Sequence, residues 1–388
     1  MKQANVLHLI TQLELGGAQG TTLELLQRLD RSRYSLTLVT SPGGSLEAEA
    51  RRVPGLTVCT LPSFVRSIRP WKDLRCLIEL RRFIRIRRFD IVHTHSSKAG
   101  VLGRWAAYWA GAPIICHTVH GFPFHSFQKP WVRLGYRAIE RATGHATTDL
   151  ITVNRADHET ALAAQLTRSA RHIRIPYGID LQRFHRNGLS PQAARVQLGL
   201  RADAPTIGTI ACFKPQKELH DFLMMCAQVR ESVPEIQCVV VGDGALRSRL
   251  ERQRRALGLD ETVRFLGWRR DIPEILTALD VFVLTSRWEG LPVAVLEAQA
   301  MGVPVVVTDT GGVRDCIENG ASGFIVPIGD TESLVDRVAT LLRDSHHARV
   351  MGERALAQVA ERFSVDRMVK AVETMYTDAL QAIGHTGA

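Results

Sequence analysis

Residues 289–304 read E-G-L-P-V-A-V-L-E-A-Q-A-M-G-V-P, and this stretch decides the fold and the chemistry expected of the chain. Its two glutamates, Glu289 and Glu297, are eight positions apart, slightly more than two helical turns, so both can lie on nearly one helix face. The residues between them are almost all apolar, which predicts a buried helix, and buried carboxylates need hydrogen-bonding partners. Hydroxyl groups along an extended ligand would supply such partners. An ordinary helix with two solvated glutamates is the alternative.

The sequence around this stretch alternates short β-branched runs with helix-like segments. In the first half the predicted strands are 6–10, 36–39, 91–94, 114–117 and 150–153. In the second half they are 206–210, 237–241, 263–265, 281–284, 303–308 and 324–326. Buried strands that alternate with helices predict parallel sheets covered on both faces, and two such sets predict two doubly wound α/β domains.

The length of 388 residues also favours two domains, because single hydrophobic cores stop growing at roughly 250–300 residues. Proline and glycine interrupt the pattern at 175–180, which predicts an N-terminal domain over 1–180 and a C-terminal domain over 181–388. The segment from 365 to 383 is expected to form a closing helix.

Composition excludes several classes of protein. The hydrophobic fraction of 45% is typical of a globular chain, and no apolar run approaches the roughly 18–20 residues of a membrane-spanning helix. The apolar part of the N-terminus is too short for a signal peptide, so a cytoplasmic location is expected. Seven scattered cysteines without a C-x-x-C pair indicate reduced thiols rather than a structural zinc site.

The net charge of +10 is unevenly distributed. Residues 1–190 contain 27 Lys and Arg against 13 Asp and Glu, whereas residues 191–388 contain 22 against 26. A basic half predicts a negatively charged partner, which could be nucleic acid, an anionic membrane surface or a phosphate-bearing ligand.

Two loops have the composition of phosphate-binding sites. Gly16 and Gly17 follow the first predicted strand and precede a helix, where glycines let backbone amides approach a phosphate, although a simple tight turn fits the same pattern. Lys214 and Lys217 follow the strand 206–210, at the sheet edge where lysines can neutralise a diphosphate. The next strand ends at a further glycine turn, at Gly242.

With its E-x7-E stretch and the trailing G-V-P-V-V, the chain resembles glycosyltransferase family 4 over nearly its whole length. The resemblance implies the GT-B architecture: two Rossmann-like domains facing a cleft, with the C-terminal helix returning toward the N-terminal domain. It implies that Glu289 faces the hydroxyls of the donor sugar and that Glu297 contacts the nucleotide ribose. The other expected donor-binding residues are Gly16, Gly17, Lys214, Lys217, Gly242, Arg269, Gly290, Leu291 and Pro292.

The resemblance also assigns catalytic roles. His120 would lie at the reacting centre, and Lys217 with Glu289 would complete the catalytic set. One position departs from the family pattern: Cys212 stands where most relatives carry a diphosphate-binding arginine, so Lys214 is expected to supply part of the missing charge. His93 and His95 lie in a second loop, but no third ligand at useful spacing is visible, so no metal site is expected.

The implied activity is retaining, metal-independent hexosyl transfer from a nucleotide-diphosphate sugar to a saccharide or polyprenyl-linked acceptor in envelope or exopolysaccharide biosynthesis. No cofactor is expected besides this donor substrate. A UDP-sugar is the expected donor, and GDP-mannose is the alternative. The rival functions are a basic nucleic-acid-binding protein and another enzyme of the same architecture, an epimerase or a phosphorylase.

Two basic segments carry apolar residues at helical spacing. Residues 66–88 contain nine Lys or Arg and two acidic residues, and a second basic segment runs from Lys129 to Arg141 and includes Trp131. Basic amphipathic helices with aromatic residues dock on anionic lipid, so a peripheral position on the inner face of the cell membrane is a candidate location. A solvated, arginine-rich helix face is the alternative.

Overall fold

The computed structural model describes residues 3–167 and 169–384, and these fall into two compact units. The first unit contains the residues up to Gly178 together with those from Val365 onward, and the second runs from Ile179 to Ser364. The sequence pattern predicts a second domain over 181–388, which would include the closing helix. The closing helix belongs instead to the first unit, as expected for a helix that returns to the N-terminal domain.

Within the described residues, the first unit contains a seven-stranded parallel sheet in the order β3-β2-β1-β4-β5-β6-β7. Its strands are β1 (Ala4–Ile10), β2 (Tyr34–Thr40), β3 (Leu56–Thr60), β4 (Ile91–His95), β5 (Ile114–Val119), β6 (Asp149–Thr152) and β7 (Arg171–Arg174). Its first helices are α1 (Gly17–Arg28), α2 (Glu47–Arg51), α3 (Pro70–Arg87), α4 (Ser97–Ala110), α5 (Pro130–Thr143) and α6 (Arg155–Ala163).

The second unit contains a six-stranded parallel sheet in the order β10-β9-β8-β11-β12-β13, all of it within the described range. Its strands are β8 (Thr206–Ile210), β9 (Gln237–Val241), β10 (Val263–Gly267), β11 (Val281–Leu284), β12 (Val305–Thr308) and β13 (Phe324–Val326). Its helices are α7 (Pro191–Gln197), α8 (Leu219–Ser232), α9 (Arg247–Ala256), α10 (Ile272–Thr277), α11 (Val293–Ala300), α12 (Val313–Cys316), α13 (Thr331–Arg343) and α14 (Ser345–Arg362).

The last helix, α15 (Val365–Ala382), packs in the core of the first unit. Met368, Val372, Tyr376 and Leu380 recur every four residues, so they form one apolar face. That face is buried together with side chains of β1, β2 and α1. The sequence pattern of α15 therefore explains why the chain returns to the first unit after completing the second.

Both sheets have the strand order of a Rossmann-like fold. In the first unit the order reverses between β1 and β4, and in the second it reverses between β8 and β11. At such a point the loops that follow the two neighbouring strands lead in opposite directions and leave a crevice at the carboxyl ends of the strands. Ligands of open α/β sheets bind in this crevice, so each unit has one place where a site is expected.

Candidate functional site

In the second unit, the loops that follow β8 and β11 are fastened to each other. The amide of Arg287 donates to the carbonyl of Gln216 at 2.8 Å, and the Gln216 side chain donates to the carbonyl of Trp288 at 2.8 Å. The Thr285 hydroxyl donates to the carbonyl of Lys217 at 3.1 Å. These bonds hold the loop of Lys217 and the loop of Glu289 together as one platform, at the point where the strand order reverses.

Lys217 and Glu289 meet on this platform. The Lys217 ammonium lies 2.5 Å from Oε1 of Glu289, and the Ser286 hydroxyl donates to the same oxygen at 2.6 Å. The side chains are 19% and 8% exposed, so the pair is shielded from water but not closed off. Because the ammonium has three N–H donors, Lys217 can keep this bond and still bind an anion.

Residues 289–304 are only partly helical. Glu289 lies in the loop before α11, whose N-cap is Pro292, and Glu297 lies half-buried inside the helix. Gly290 and Leu291 are buried beside that N-terminus. Gly311 packs behind the loop so closely that a Cβ there would lie 2.1 Å from the carbonyl of Glu289.

The remaining predicted residues of the second unit spread along the same sheet edge. Lys214 lies half-buried between β8 and the 3-10 turn Pro215–Lys217. Gly242 follows β9 with φ of +122°, and a Cβ there would lie 2.1 Å from the carbonyl of Ala211, so only glycine fits. Arg269 follows the edge strand β10 and pairs with Asp271. It therefore lies two strands from β8, apart from Lys217 and Glu289.

In the first unit, the predicted glycines follow β1 at the point where the strand order reverses. Gly16 is the N-cap of α1 and Gly17 is its first residue. No side chain caps this helix by a hydrogen bond within its described residues. Amides at the start of a helix without a side-chain cap can bind a phosphate, and the phosphate site at Gly16 and Gly17 stays a prediction.

His120 follows β5, and both of its ring nitrogens have partners. Nδ1 lies 2.6 Å from the Tyr177 hydroxyl, and Nε2 lies 3.2 Å from Nδ1 of His95. Desolvation by burial lowers the pKa of His120 to about 4, so the ring is neutral at pH 7. A neutral ring with two partners acts as a fixed polar group rather than as a free general base.

His8 is a neighbour that the sequence reasoning missed. It lies on β1 in register with His93 on β4, and its Nδ1 is 3.0 Å from Nε2 of His95. His8, His93 and His95 are buried, with one ring nitrogen of each within 4.8 Å of the others, a group of the size that can hold a metal ion. The expectation that His93 and His95 lack a third ligand was therefore wrong. The signal was available, because the first and fourth strands of this fold are neighbours.

A small pocket lies beside His120 in the first unit. Its lining includes Ser96, Gly121 and Glu140. Glu140, on α5, forms a buried ion pair with Arg104 of α4 at 2.7 Å, which ties α5 to the body of the unit. A buried charge of this kind needs its partner, so loss of either residue would leave an uncompensated charge beside the pocket.

Helix α5 exposes its apolar side chains. Only Glu140 and Thr143 are buried within it, whereas Trp131 and Leu134 are 69% and 67% exposed. The basic residues Lys129, Arg133, Arg137 and Arg141 are also exposed. Helix α3 likewise exposes Trp71 and Ile78. None of the helices among the described residues is long and apolar enough to cross a membrane.

Comparison with known proteins agrees with this geometry. Residues 16–178 match the family described as glycosyl transferase 4-like domain, and residues 191–358 match the family described as glycosyl transferases group 1. The chain is 31% identical over 367 residues to the UDP-Gal:alpha-D-GlcNAc-diphosphoundecaprenol alpha-1,3-galactosyltransferase of Escherichia coli, covering 94% of each protein. It is 30% identical over 312 residues to the putative glycosyltransferase EpsD of Bacillus subtilis strain 168, covering 79% of this chain and 81% of that protein.

Among solved structures, HepE of Anabaena in complex with UDP and glucose superposes with a TM-score of 0.84 at 21% identity. The alignment covers 97% of this chain and 100% of that one, and it shows a shared fold. The matched families span both units, and the Escherichia coli relative aligns with 94% of the chain. The chain therefore belongs to the group 1 glycosyltransferases of family 4, with the GT-B fold.

Proposed function

We propose that this chain transfers a hexose from a UDP-sugar to a saccharide or polyprenyl-diphosphate-linked acceptor, with retention of the anomeric configuration and without a metal ion. The Escherichia coli relative is named for UDP-Gal and for a diphosphoundecaprenol acceptor, which supports this choice of donor and acceptor. HepE, whose fold is similar, has been solved with UDP-glucose. Biosynthesis of a lipid-linked glycan or an exported polysaccharide is the corresponding role.

The observation that carries the proposal is the Lys217–Glu289 pair on the platform between β8 and β11. On this assignment the Lys217 ammonium binds a phosphate oxygen of the donor while Glu289 accepts hydrogen bonds from the sugar hydroxyls. Amides at the start of α11 add positive partial charge, and Glu297 faces the ribose. Charge develops on the departing diphosphate, so fixed positive groups stabilise the transition state more than the ground state.

The proposed reaction proceeds on one face of the sugar. The bond between the anomeric carbon and the diphosphate oxygen breaks, and the acceptor oxygen bonds to the same carbon from the same side. The acceptor's proton passes to the departing phosphate oxygen, so no protein base is required. His120, with both ring nitrogens held, lines the pocket without taking the proton. The sequence contains no D-x-D motif of the kind that bridges a metal to a diphosphate.

A thermal-shift screen with UDP, GDP and ADP, each with EDTA or with Mg²⁺, tests the donor assignment. A ligand that binds the native state raises Tm by mass action, so UDP should stabilise the protein equally in EDTA and in Mg²⁺. Stabilisation by GDP alone would mean that the donor is a GDP-sugar and not a UDP-sugar. A shift that appears only with Mg²⁺ would contradict metal independence. If none of the three nucleotides raised Tm, the proposed donor site would be wrong.

A further inference from the structure

Six buried or half-buried side chains of the first unit form a continuous line of hydrogen bonds, here called the histidine relay: Tyr177, His120, His95, His8, Tyr376 and His93. Each member bonds to the next: His120 follows β5, His95 and His93 lie on β4, His8 lies on β1 and Tyr376 lies on α15. A final bond joins Nε2 of His93 to the Thr118 hydroxyl at 2.7 Å.

The hydrogen bonds between the consecutive histidine rings of the relay must all point the same way. A neutral imidazole has one N–H and one acceptor nitrogen, so a ring that donates on one side must accept on the other. Burial lowers the pKa of His93 and His95 well below the usual range, and it lowers that of His8 to about 3. All the rings are therefore neutral, and among the consecutive rings of His120, His95 and His8 reversing one hydrogen bond requires reversing the other.

The two phenols select the direction. The Tyr177 hydroxyl lies 2.6 Å from Nδ1 of His120, and the Tyr376 hydroxyl lies 2.6 Å from Nδ1 of His93, whereas its distance to Nε2 of His8 is 3.2 Å. A distance of 2.6 Å is shorter than the usual N–H···O range of about 2.7–3.2 Å and fits a hydroxyl that donates. The 3.2 Å from His8 to Tyr376 and the 2.7 Å from Nε2 of His93 to the Thr118 hydroxyl lie within that range and fit an imidazole N–H that donates to an oxygen. Both phenols then donate toward Nδ1, which leaves the proton of every relay ring on Nε2.

We propose that the histidine relay fixes His120 as its neutral Nε2–H tautomer, so that the side of the ring facing Tyr177 presents only an acceptor nitrogen. A ligand that displaces the Tyr177 hydroxyl must then donate a hydrogen bond, as a sugar hydroxyl does. His95, His8 and Tyr376 are positioning residues that act on His120 from within the sheet. The sugar as ligand rests on the proposed function, whereas the tautomer does not.

The relay also accounts for the cluster of three histidines without a metal ion. Both ring nitrogens of His8, His93 and His95 have hydrogen-bonding partners, which are members of the relay or Thr118. A metal ion would have to displace these partners. Stoichiometric zinc or another divalent metal in the purified protein, measured by elemental analysis, would therefore contradict the relay.

Nitrogen NMR of the protein with ¹⁵N-labelled histidine rings tests the tautomer directly. The expected result is a proton on Nε2 of His8, His93, His95 and His120, with couplings across the hydrogen bonds that join His120 to His95 and His95 to His8. Protons on Nδ1, or mixed tautomers in the native protein, would overturn the proposal. This readout needs no substrate, so it stands even if the proposed activity fails.

Tyr376→Phe, with Tyr34→Phe as its control, tests whether the relay acts at a distance. Tyr34 is a buried tyrosine that packs against Tyr376 with ring centroids 5.6 Å apart, and its hydroxyl is outside the relay. Tyr376→Phe should change the ring ¹⁵N shifts of His120 and lower kcat about tenfold with little change in KM, whereas Tyr34→Phe should change neither. Unchanged His120 shifts in Tyr376→Phe would refute the coupling. Should Tyr376→Phe fail to fold, His95→Gln provides the same comparison.

Discussion

The Lys217 ammonium and the Glu289 carboxylate lie 2.5 Å apart on loops that follow neighbouring strands of the second sheet. Each residue alone could be an ordinary charged group near the surface. Their pairing at the point where the strand order reverses, together with the Ser286 hydroxyl on the same carboxylate oxygen, makes a preformed polar site. A site of this kind loses little entropy when a charged ligand binds.

Lys217→Ala should lower kcat/KM by about 10²–10³-fold, because removal of one group that stabilises developing charge costs about 3–4 kcal/mol in the transition state. Steady-state kinetics with the donor that the nucleotide screen identifies would measure this loss. The exposed Lys370 of α15 provides the control, and Lys370→Ala should retain wild-type activity. Activity of Lys217→Ala within a few-fold of wild type would show that Lys217 does not stabilise the departing diphosphate.

Lys214→Ala should weaken donor binding, because Cys212 supplies no positive charge at the position where relatives were expected to carry arginine. The double variant Lys214→Ala with Cys212→Arg should recover affinity, since it returns a cation to the same loop. Calorimetric titration with UDP would compare the variants. If Lys214→Ala binds UDP as tightly as wild type while Lys217→Ala does not bind it, the compensation hypothesis is wrong.

Much of this architecture could be predicted from the sequence. The strand and helix pattern predicted two doubly wound sheets, because the patterns of buried strands and helical faces are local and strong. The contacts inside the sites could not be predicted. The Lys217–Glu289 pair and the partners of His120 depend on loop conformations and on long-range packing, such as the approach of Tyr376 from α15 to β1 and β4. The same long-range packing decides that α15 belongs to the first unit.

Glu218→Gly should be more stable than Glu218→Ala by about 1 kcal/mol. Glu218 has φ of 42° and ψ of 48°, a left-handed conformation that costs a residue with a Cβ roughly 1–2 kcal/mol and costs glycine almost nothing. Both variants lose the ion pair with Arg287, so the comparison isolates the backbone. Unfolding in urea would measure the difference, and equal stabilities would show that the loop relaxes in the alanine variant.

Acid should unfold the first unit at a mild pH. Burial lowers the pKa of five histidines, which are His8, His93, His95, His117 and His120. The positive charge of Arg31 lowers the pKa of His8 further, and that of Arg104 lowers the pKa of His117 further. The unfolded chain binds more protons than the native one below pH about 6.5, so stability is full above that pH and falls as pH decreases toward the native values.

Each of these rings should cost about 1.4 kcal/mol per pH unit below about 6.5. Five rings together cost up to about 14 kcal/mol within roughly two pH units, which is comparable to the ordinary stability of a domain, about 5–15 kcal/mol. Calorimetric scans between pH about 7 and 5 should therefore show a steep fall in Tm before most carboxylates titrate. A Tm that stays level over this range would mean that the histidines are protonated in the native state.

Replacing the exposed apolar side chains of α5 should abolish binding to anionic vesicles. Trp131 and Leu134 are exposed on α5, and so are its N-cap Lys129 and its residues Arg133, Arg137 and Arg141, so the exposed surface of this helix offers both an apolar anchor and positive charge. Four cations near an anionic surface contribute about 1 kcal/mol each, enough to hold the protein reversibly when apolar side chains also insert. Flotation with vesicles that contain phosphatidylglycerol would measure the effect of Trp131→Ser with Leu134→Ser.

Trp268→Ser is the matched control for that experiment, because Trp268 is a half-exposed tryptophan that belongs to the second unit, whereas α3 and α5 belong to the first. It should leave flotation unchanged. Wild-type binding should also weaken as salt increases, since the charge contribution is screened beyond a Debye length of about 10 Å at 0.1 M. Flotation that is equal on neutral and anionic vesicles, or equal between Trp131→Ser/Leu134→Ser and wild type, would mean that the basic face of α5 is solvated and not a membrane surface.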